Sequence, residues 1–170
     1  MGFEEAINRL KRQIEAYDLN ILVWGPGVDS GEHFEKRRKI KQEISNCFYN
    51  ADIRFSEELD LTGILPGIDQ LDFPAQELWH LSACDLCVVL DTAKGAGEEI
   101  AHFVGSQHAH KLLILTHERY ESSTNFPTAL RKRQNQLFYS DEEYFTCNLV
   151  KQVLTRIKTI ALGKLSGMKV

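Results

Sequence analysis

The sequence predicts an α/β fold, and two observations lead to that prediction. Short apolar runs suited to buried strands alternate along the chain with stretches whose apolar residues recur every three or four positions. The run Asp85-Leu-Cys-Val-Val-Leu90 is continuous enough for a central strand covered on both faces. We therefore expect a flavodoxin-like (Rossmann-like) five-stranded parallel sheet in the order 2-1-3-4-5, with helices on both faces.

Composition sets the limits of this prediction. The chain has 170 residues, of which 43% are hydrophobic and 26% are charged, so we expect a single globular domain over 1–170. Its 20 basic and 24 acidic residues give a net charge of −4, which argues against nucleic acid as a partner. Four cysteines are too few for a disulfide scaffold, and no run of about 18 apolar residues exists. We expect a cytoplasmic protein that has no contact with membranes.

The first half of the chain contains a helix, a strand, a helix and a strand. An N-terminal helix within 1–18 is predicted by one apolar stripe of Phe3, Ile7, Leu10 and Ile14. A buried strand over 20–24 is closed by the tight turn Gly25-Pro26-Gly27. A second helix over 33–49 precedes a strand over 51–55.

The second half continues the alternation. A long connection over 56–73 leads to a helix over 74–84, which Pro74 begins. The central strand and a glycine loop are followed by a helix over 98–108 and by strands over 111–116 and 135–139. The sheet core thus covers 20–140, and a last helix over 141–163 is predicted to be capped by Asp141.

Ligands of such folds bind beyond the carboxyl ends of the strands, where the strand order reverses. This rule selects the segments 25–31, 56–58 and 91–99. Ser56 and Glu57 belong to the second of them, and either a ligand-binding role or a solvated turn accounts for them.

The segment VVLDTAKGAGEEIA, residues 88–101, carries the clearest chemical pattern. Asp91 ends a buried strand, Gly95 and Gly97 let a ligand approach the backbone, and Glu98 and Glu99 begin the next helix. The positive end of the helix dipole favours ionised carboxylates there, and such a carboxylate can attack a sugar carbon. Helix capping by the two glutamates is the alternative interpretation.

This segment resembles the signature of the nucleoside 2-deoxyribosyltransferase family and of its relatives, the 2′-deoxynucleoside 5′-phosphate N-hydrolases. Their pattern is an apolar strand ending near an acidic residue, a Gly-rich loop, and Tyr-Glu-Ile/Leu-Gly at a helix start. Glu98-Glu99-Ile100-Ala101 matches the last piece, with Glu98 in place of Tyr and Ala101 in place of Gly. The resemblance implies that Glu99 is the nucleophile.

Three further segments extend the resemblance. In ELWHLSACD, Glu77 occupies the position of a family Asp. The turn Gly25-Pro26-Gly27 resembles a loop that faces the sugar or phosphate, and Thr128 falls where a hydroxyl reaches the ligand. TIR domains are similar in architecture and also use a glutamate.

The resemblance implies cleavage of an N-glycosidic bond, or base transfer, on a nucleoside, a nucleotide or NAD. Glu99 would attack C1′ while Asp91 orients the sugar or the base. No metal or redox cofactor is implied. A TIR-like NAD hydrolase and a binding module without turnover are the alternatives, the second because the Tyr and Gly around Glu99 are replaced.

Two features admit both a functional and a structural interpretation. The basic run 36–41 is a candidate phosphate patch, but we interpret it as the solvated face of its helix. The amphipathic helices at both ends of the chain fit a homo-oligomer contact, and they also fit packing on the sheet. Cys84, Cys87 and Trp24 are predicted core residues.

Overall fold

The computed structural model describes residues 2–91, 100, 103, 105–118, 135–146 and 148–168. Its five strands form one parallel sheet in the order β2-β1-β3-β4-β5. The strands are β1 (Asn20–Trp24), β2 (Asp52–Phe55), β3 (Leu86–Asp91), β4 (Leu112–His117) and β5 (Asn135–Tyr139). This confirms the predicted α/β fold and its strand order.

The helices surround this sheet. They are α1 (Phe3–Glu15), α2 (Glu32–Cys47), α3 (Phe73–Ala83), α4 (Asp141–Thr146) and α5 (Asn148–Leu165). One face of the sheet packs against apolar residues of α2 and α5, and the other packs against α3 together with Ile100 and Phe103. Among the described residues, no helix has the length and apolar character that a membrane span requires.

Side-chain alternation along the strands builds both halves of the core. In β3, Leu86, Val88 and Leu90 face the α2 side, whereas Cys87 and Val89 face the α3 side. All six residues of β3 are buried, as expected for a central strand with helices on both faces. The pKa of the Cys84 thiol is raised by burial to about 12, so this cysteine behaves as an apolar core residue.

Helix ends differ from the predictions where local hydrogen bonds decide them. Ser140, rather than the predicted Asp141, caps α4: its Oγ accepts from Glu143 N at 3.2 Å while Glu143 accepts from Ser140 N at 3.0 Å. The predicted helix over 98–108 does not reach His108, because residues 105–108 form turns. There Gly105 is a weak helix former and Ser106 Oγ accepts from His108 N at 3.2 Å.

The two terminal helices also have different limits. The N-terminal helix, expected within 1–18, spans Phe3–Glu15. The single helix predicted over 141–163 corresponds to two helices, α4 (Asp141–Thr146) and α5 (Asn148–Leu165), and the second ends two residues past the predicted end.

Candidate functional site

A cavity of about 580 Å³ lies over the carboxyl ends of β1 and β2. Its size is within the usual range for small-ligand sites. Among the described residues, the segments 25–31 and 56–58 selected by the switch-point rule reach its wall. The lining residues come from the ends of β1 and β2, from the connections that follow these strands, and from α2 and α3. They include Trp24, Gly25, Gly27, Asp29, Arg37, Ser56, Glu57, Asp60, Asp69, Glu77 and His80.

Gly25 lets the end of β1 pass close to β3. Its φ is +149°, a backbone conformation that residues with a side chain rarely adopt. A Cβ on this residue would lie 2.9 Å from Leu90 Cβ and 3.3 Å from Leu90 O. The glycine is therefore required by the close approach of two strands, and it shapes the floor of the cavity.

Arg37 is a buried and firmly anchored side chain of the site, with only 1% of its surface exposed. Its Nε and Nη2 donate to Val23 O at 2.9 and 2.8 Å, and its Nη1 and Nη2 donate to the two carboxylate oxygens of Glu57, each at 2.7 Å. The guanidinium also lies 4.3 Å from the centre of the Phe55 ring. Arg37 therefore fixes the last residues of β1 and the segment after β2 relative to each other.

This burial overturns part of the sequence interpretation. The run 36–41 was expected to be solvated, but Lys36 and Arg37 are both buried. Arg37 precedes Ile40 by three positions and Ile44 by seven, so it lies on the buried stripe of α2. That spacing could have identified it.

Glu57 lies at the rim of the cavity and is half exposed. Partial burial raises its pKa, but the hydrogen bonds and charge of Arg37 outweigh that effect, so the pKa lies below its ordinary value. Ser56 Oγ donates to it at 3.2 Å. An ionised carboxylate held in this way accepts hydrogen bonds from a ligand, such as those of sugar hydroxyls.

Glu77 and His80 lie one turn apart on α3 and both line the cavity. Glu77 is 5% exposed, a rare level of burial for a carboxylate. Its spacing from Leu81 and Cys84 puts it on the buried stripe of α3. His80 was not singled out from the sequence; burial lowers its pKa, so it is neutral at pH 7.

Two buried nitrogen atoms at the cavity have no hydrogen-bond partner in the described part of the chain. They are Trp24 Nε1 and His80 Nδ1. The Trp24 ring packs against Phe103 with 5.4 Å between ring centroids, which agrees with the predicted core position. Buried polar atoms without partners are rare in folded proteins, so these two are candidates for contact with a ligand.

Asp91 lies in the last position of β3 and is buried. Thr116 Oγ1 donates to its Oδ2 at 3.1 Å, and Gln136 Nε2 donates to Thr116 Oγ1 at 2.8 Å. This chain of hydrogen bonds connects β3, β4 and β5. Asp91 is not among the residues that line the cavity.

The cavity brings together five of the predicted site residues. They are Gly25, Gly27, Ser56, Glu57 and Glu77. Pro26 lies between the two glycines, and its carbonyl accepts from Arg37 Nη1 at 3.4 Å. The remaining predicted residues lie outside the described part of the chain, namely Gly95, Gly97, Glu98, Glu99 and Thr128.

The described wall of the cavity is acidic. Its carboxylates are Asp29, Glu57, Asp60, Asp69 and Glu77, and its arginine is already paired with one of them. Within the described ranges, no group of three or more His, Cys, Asp or Glu side chains is arranged to hold a metal ion.

Sheet order and cavity together define a Rossmann-like α/β protein with a crevice at the carboxyl edge of its sheet. The chain is similar in structure to a conserved protein from Enterococcus faecalis V583, known from a crystal structure. The TM-score is 0.54 at 15% sequence identity, covering 82% of this chain and 99% of that one, so the likeness concerns the fold alone. No family model and no curated protein matches the chain.

Proposed function

We propose that this chain cleaves the N-glycosidic bond of a nucleoside or a related N-riboside, with Glu99 as the nucleophile. The observation that carries the proposal is the buried carboxylate of Glu77 on the wall of a ligand-sized cavity. The resemblance to the deoxyribosyltransferase family assigns an acidic residue of the substrate site to this same position. The cavity also lies at the sheet edge where ligands of this fold class bind.

The proposed reaction has two steps. Glu99 attacks C1′, a bond forms between the carboxylate oxygen and C1′, and the C1′–N bond breaks as its electron pair leaves with the base. An acid in the site protonates the departing base. Water, or a second base, then attacks C1′ and gives its proton back to that acid, now in its basic form, while the bond from C1′ to Glu99 breaks and Glu99 leaves as a carboxylate; this gives hydrolysis or transfer respectively.

The described residues supply the binding part of this reaction. Glu57, held by Arg37, accepts hydrogen bonds from the sugar hydroxyls, and Glu77 binds the base from α3. Trp24 Nε1 and His80 Nδ1 offer further hydrogen bonds to the ligand, because neither is satisfied within the described chain. Asp91, which was expected to orient the sugar or the base, does not line this cavity, so we assign it no contact with the ligand.

The charge of the described wall favours a ligand without phosphate. Five carboxylates line the described part of the cavity, and the guanidinium of Arg37 already binds Glu57 with two hydrogen bonds. A phosphate placed among them would be repelled, whereas an uncharged nucleoside or a cationic N-riboside would not. We therefore expect nucleosides to react faster than their 5′-monophosphates and faster than NAD.

The test measures by chromatography the free base released from nucleosides, deoxynucleosides, their 5′-monophosphates and NAD. We expect Glu99→Gln to lower the rate by at least ~1,000-fold, as for the loss of a nucleophile. Glu77→Gln removes a charged hydrogen-bond acceptor and should lower kcat/KM by about 10- to 100-fold. Glu43→Gln, an exposed change on α2, is the matched control.

Each outcome separates the candidates. Base release that persists in Glu99→Gln contradicts the assigned nucleophile. Saturable binding of a nucleoside without release of base contradicts the proposed cleavage, and it supports the alternative of a nucleotide-signal-binding module without turnover. Faster turnover of NAD than of nucleosides favours the TIR-like alternative and contradicts the charge argument.

A further inference from the structure

Helix α1 presents its apolar stripe to solvent. Phe3, Ile7 and Leu10 are 83%, 52% and 40% exposed, and the helix has no buried residue. At its C-terminal end, Ile14 is half-buried and packs against the main core. The first two and a half turns of α1 are thus strongly amphipathic, yet their apolar face is uncovered.

Such a helix needs a partner to be stable. Isolated helices of about 12–15 residues are marginal in water, and most helices in proteins gain their stability by burying an apolar face. With 13 residues, α1 is in this marginal range. Three large apolar side chains in a row on a surface also mark an interaction site more often than a chance arrangement.

We propose that α1 pairs antiparallel with α1 of a second copy of this chain. Phe3, Ile7, Leu10 and Ile14 are separated by four, three and four positions, the spacing of a coiled-coil seam. In the antiparallel arrangement Ile7 of each copy faces Leu10 of the other, and Phe3 faces Ile14. One twofold axis relates the two copies, so the contact closes as a dimer.

The charges beside the apolar stripe favour a second copy of this chain as the partner, and they favour the antiparallel arrangement. Glu4 and Lys11 flank the stripe on the same side, each one residue after an apolar residue of the stripe, Phe3 and Leu10 respectively. Antiparallel pairing brings Glu4 of each copy to Lys11 of the other. Within the chain, the exposed Lys11 pairs with the partly buried Glu15 at 3.8 Å, a weak contact that a second copy can replace at little cost. The other flank carries Ala6 and Gln13, which are uncharged.

A membrane surface fits this helix less well. Helices that lie on membranes carry an excess of Lys and Arg on their polar face. The polar residues of α1 include three acids and three bases, so the helix has no net charge: Glu4, Glu5, Glu15, Arg9, Lys11 and Arg12.

The test is the mass of the full chain by sedimentation equilibrium from about 1 to about 500 μM. We expect the mass to rise from 19.4 kDa towards twice that value with increasing concentration. Glu4→Lys and Lys11→Glu should each weaken the dimer by about 10-fold, because each replaces two attractive contacts with two repulsive ones. The double variant should recover the wild-type dissociation constant to within about threefold.

Two control variants accompany the charge swap. Arg12→Glu makes the same charge change as Lys11→Glu one residue away, on the outer face of α1, and should leave the dimer unchanged. Ile7→Glu should abolish the dimer, with circular dichroism confirming that the sheet remains folded.

A mass of 19.4 kDa at every concentration overturns the proposal. A double variant whose dimer dissociation constant is no lower than those of the single variants also overturns it. Binding to phosphatidylcholine–phosphatidylserine vesicles by a monomeric chain, lost in Ile7→Glu, overturns it in favour of the membrane.

Discussion

Gly25 and Gly27 have different structural roles although they are two residues apart. Gly25 has φ of +149° and leaves no room for a Cβ beside Leu90, where the neighbouring atoms belong to the backbone and Cβ of a central strand. Gly27 has φ of −72°, and nothing lies within 4 Å of the place its Cβ would take. The turn Gly25-Pro26-Gly27 thus contains one required glycine and one replaceable glycine.

We predict that Gly25→Ala lowers the free energy of unfolding by about 2–4 kcal/mol, since it combines backbone strain with overpacking against β3. Gly27→Ala should change it by less than about 1 kcal/mol, because its φ suits alanine. Urea denaturation of both variants measures the difference. Equal effects of the two substitutions would show that the approach of β1 to Leu90 is not as close as described.

Arg37 and Arg38 form ion pairs in opposite environments. Arg37 is buried and binds Glu57 and the carbonyl of Val23, whereas Arg38 and its partner Glu35 are both more than half exposed. We predict that Arg37→Gln costs about 3 kcal/mol of stability, since it leaves a buried carbonyl and a packed ring without their partner. Arg38→Gln should cost less than about 0.5 kcal/mol.

Thermal unfolding of the two arginine variants checks this prediction, and ligand binding adds a second readout. Loss of Arg37 should also weaken nucleoside binding, because Glu57 is no longer held at the rim of the cavity. A variant of Arg37 as stable as that of Arg38 would contradict the structural role.

His80 makes stability dependent on pH with a definite sign. Burial lowers the pKa of His80 in the folded chain below its ordinary value of 6.5, so the unfolded chain binds a proton more readily. Its contribution to stability is present above that ordinary value and is lost as the pH falls through the lower, folded pKa. We predict that His80→Asn reduces the fall in Tm between about pH 7.5 and about pH 5.5.

The matched control for this prediction is His110→Asn, which removes a histidine from the surface. Its Tm should fall with pH as steeply as that of the wild type. If His80→Asn shows the same steep fall, protonation of another group causes the acid sensitivity.

The elements were predictable where hydrophobic periodicity was strong. The run Leu86–Leu90 specified a central strand because only a fully covered strand keeps five apolar residues in a row. The ends of the helices were less predictable than the helices themselves, because each end depends on one or two hydrogen bonds. Ser140 and Asp141 are both good capping residues, and only the reciprocal bonds between Ser140 and Glu143 decide between them.

The site was predictable only in part, for a physical reason. The switch-point rule identifies strand ends, and it led to Gly25 and Glu57 directly. Burial of a charged residue depends on a partner that is distant in sequence, as Glu57 is from Arg37. The basic run therefore favoured a solvated helix face, although helical spacing from Ile40 and Ile44 put Arg37 on the inner stripe.

At the scale of the whole molecule, stability is unevenly distributed. β1, β3 and β4 lie in the middle of the sheet and have helices packed over both faces, so almost all of their residues are buried. At the other extreme, α1 has no buried residue; it contacts α5, and its half-buried Ile14 packs against the core. Local opening of α1 therefore exposes little apolar surface that is not already exposed.

We predict that native-state hydrogen exchange separates these regions when the chain is monomeric. Amides of α1 should exchange through local opening at a cost of about 0–2 kcal/mol, whereas amides of β1, β3 and β4 should exchange only with global unfolding, at about 5–15 kcal/mol. Mass spectrometry of peptic fragments measures both, with Ile7→Glu used to keep the chain monomeric. Protection of α1 equal to that of β3 in the monomer would show that α1 is part of the cooperative core, and its exposed stripe would then need no second copy to stabilise it.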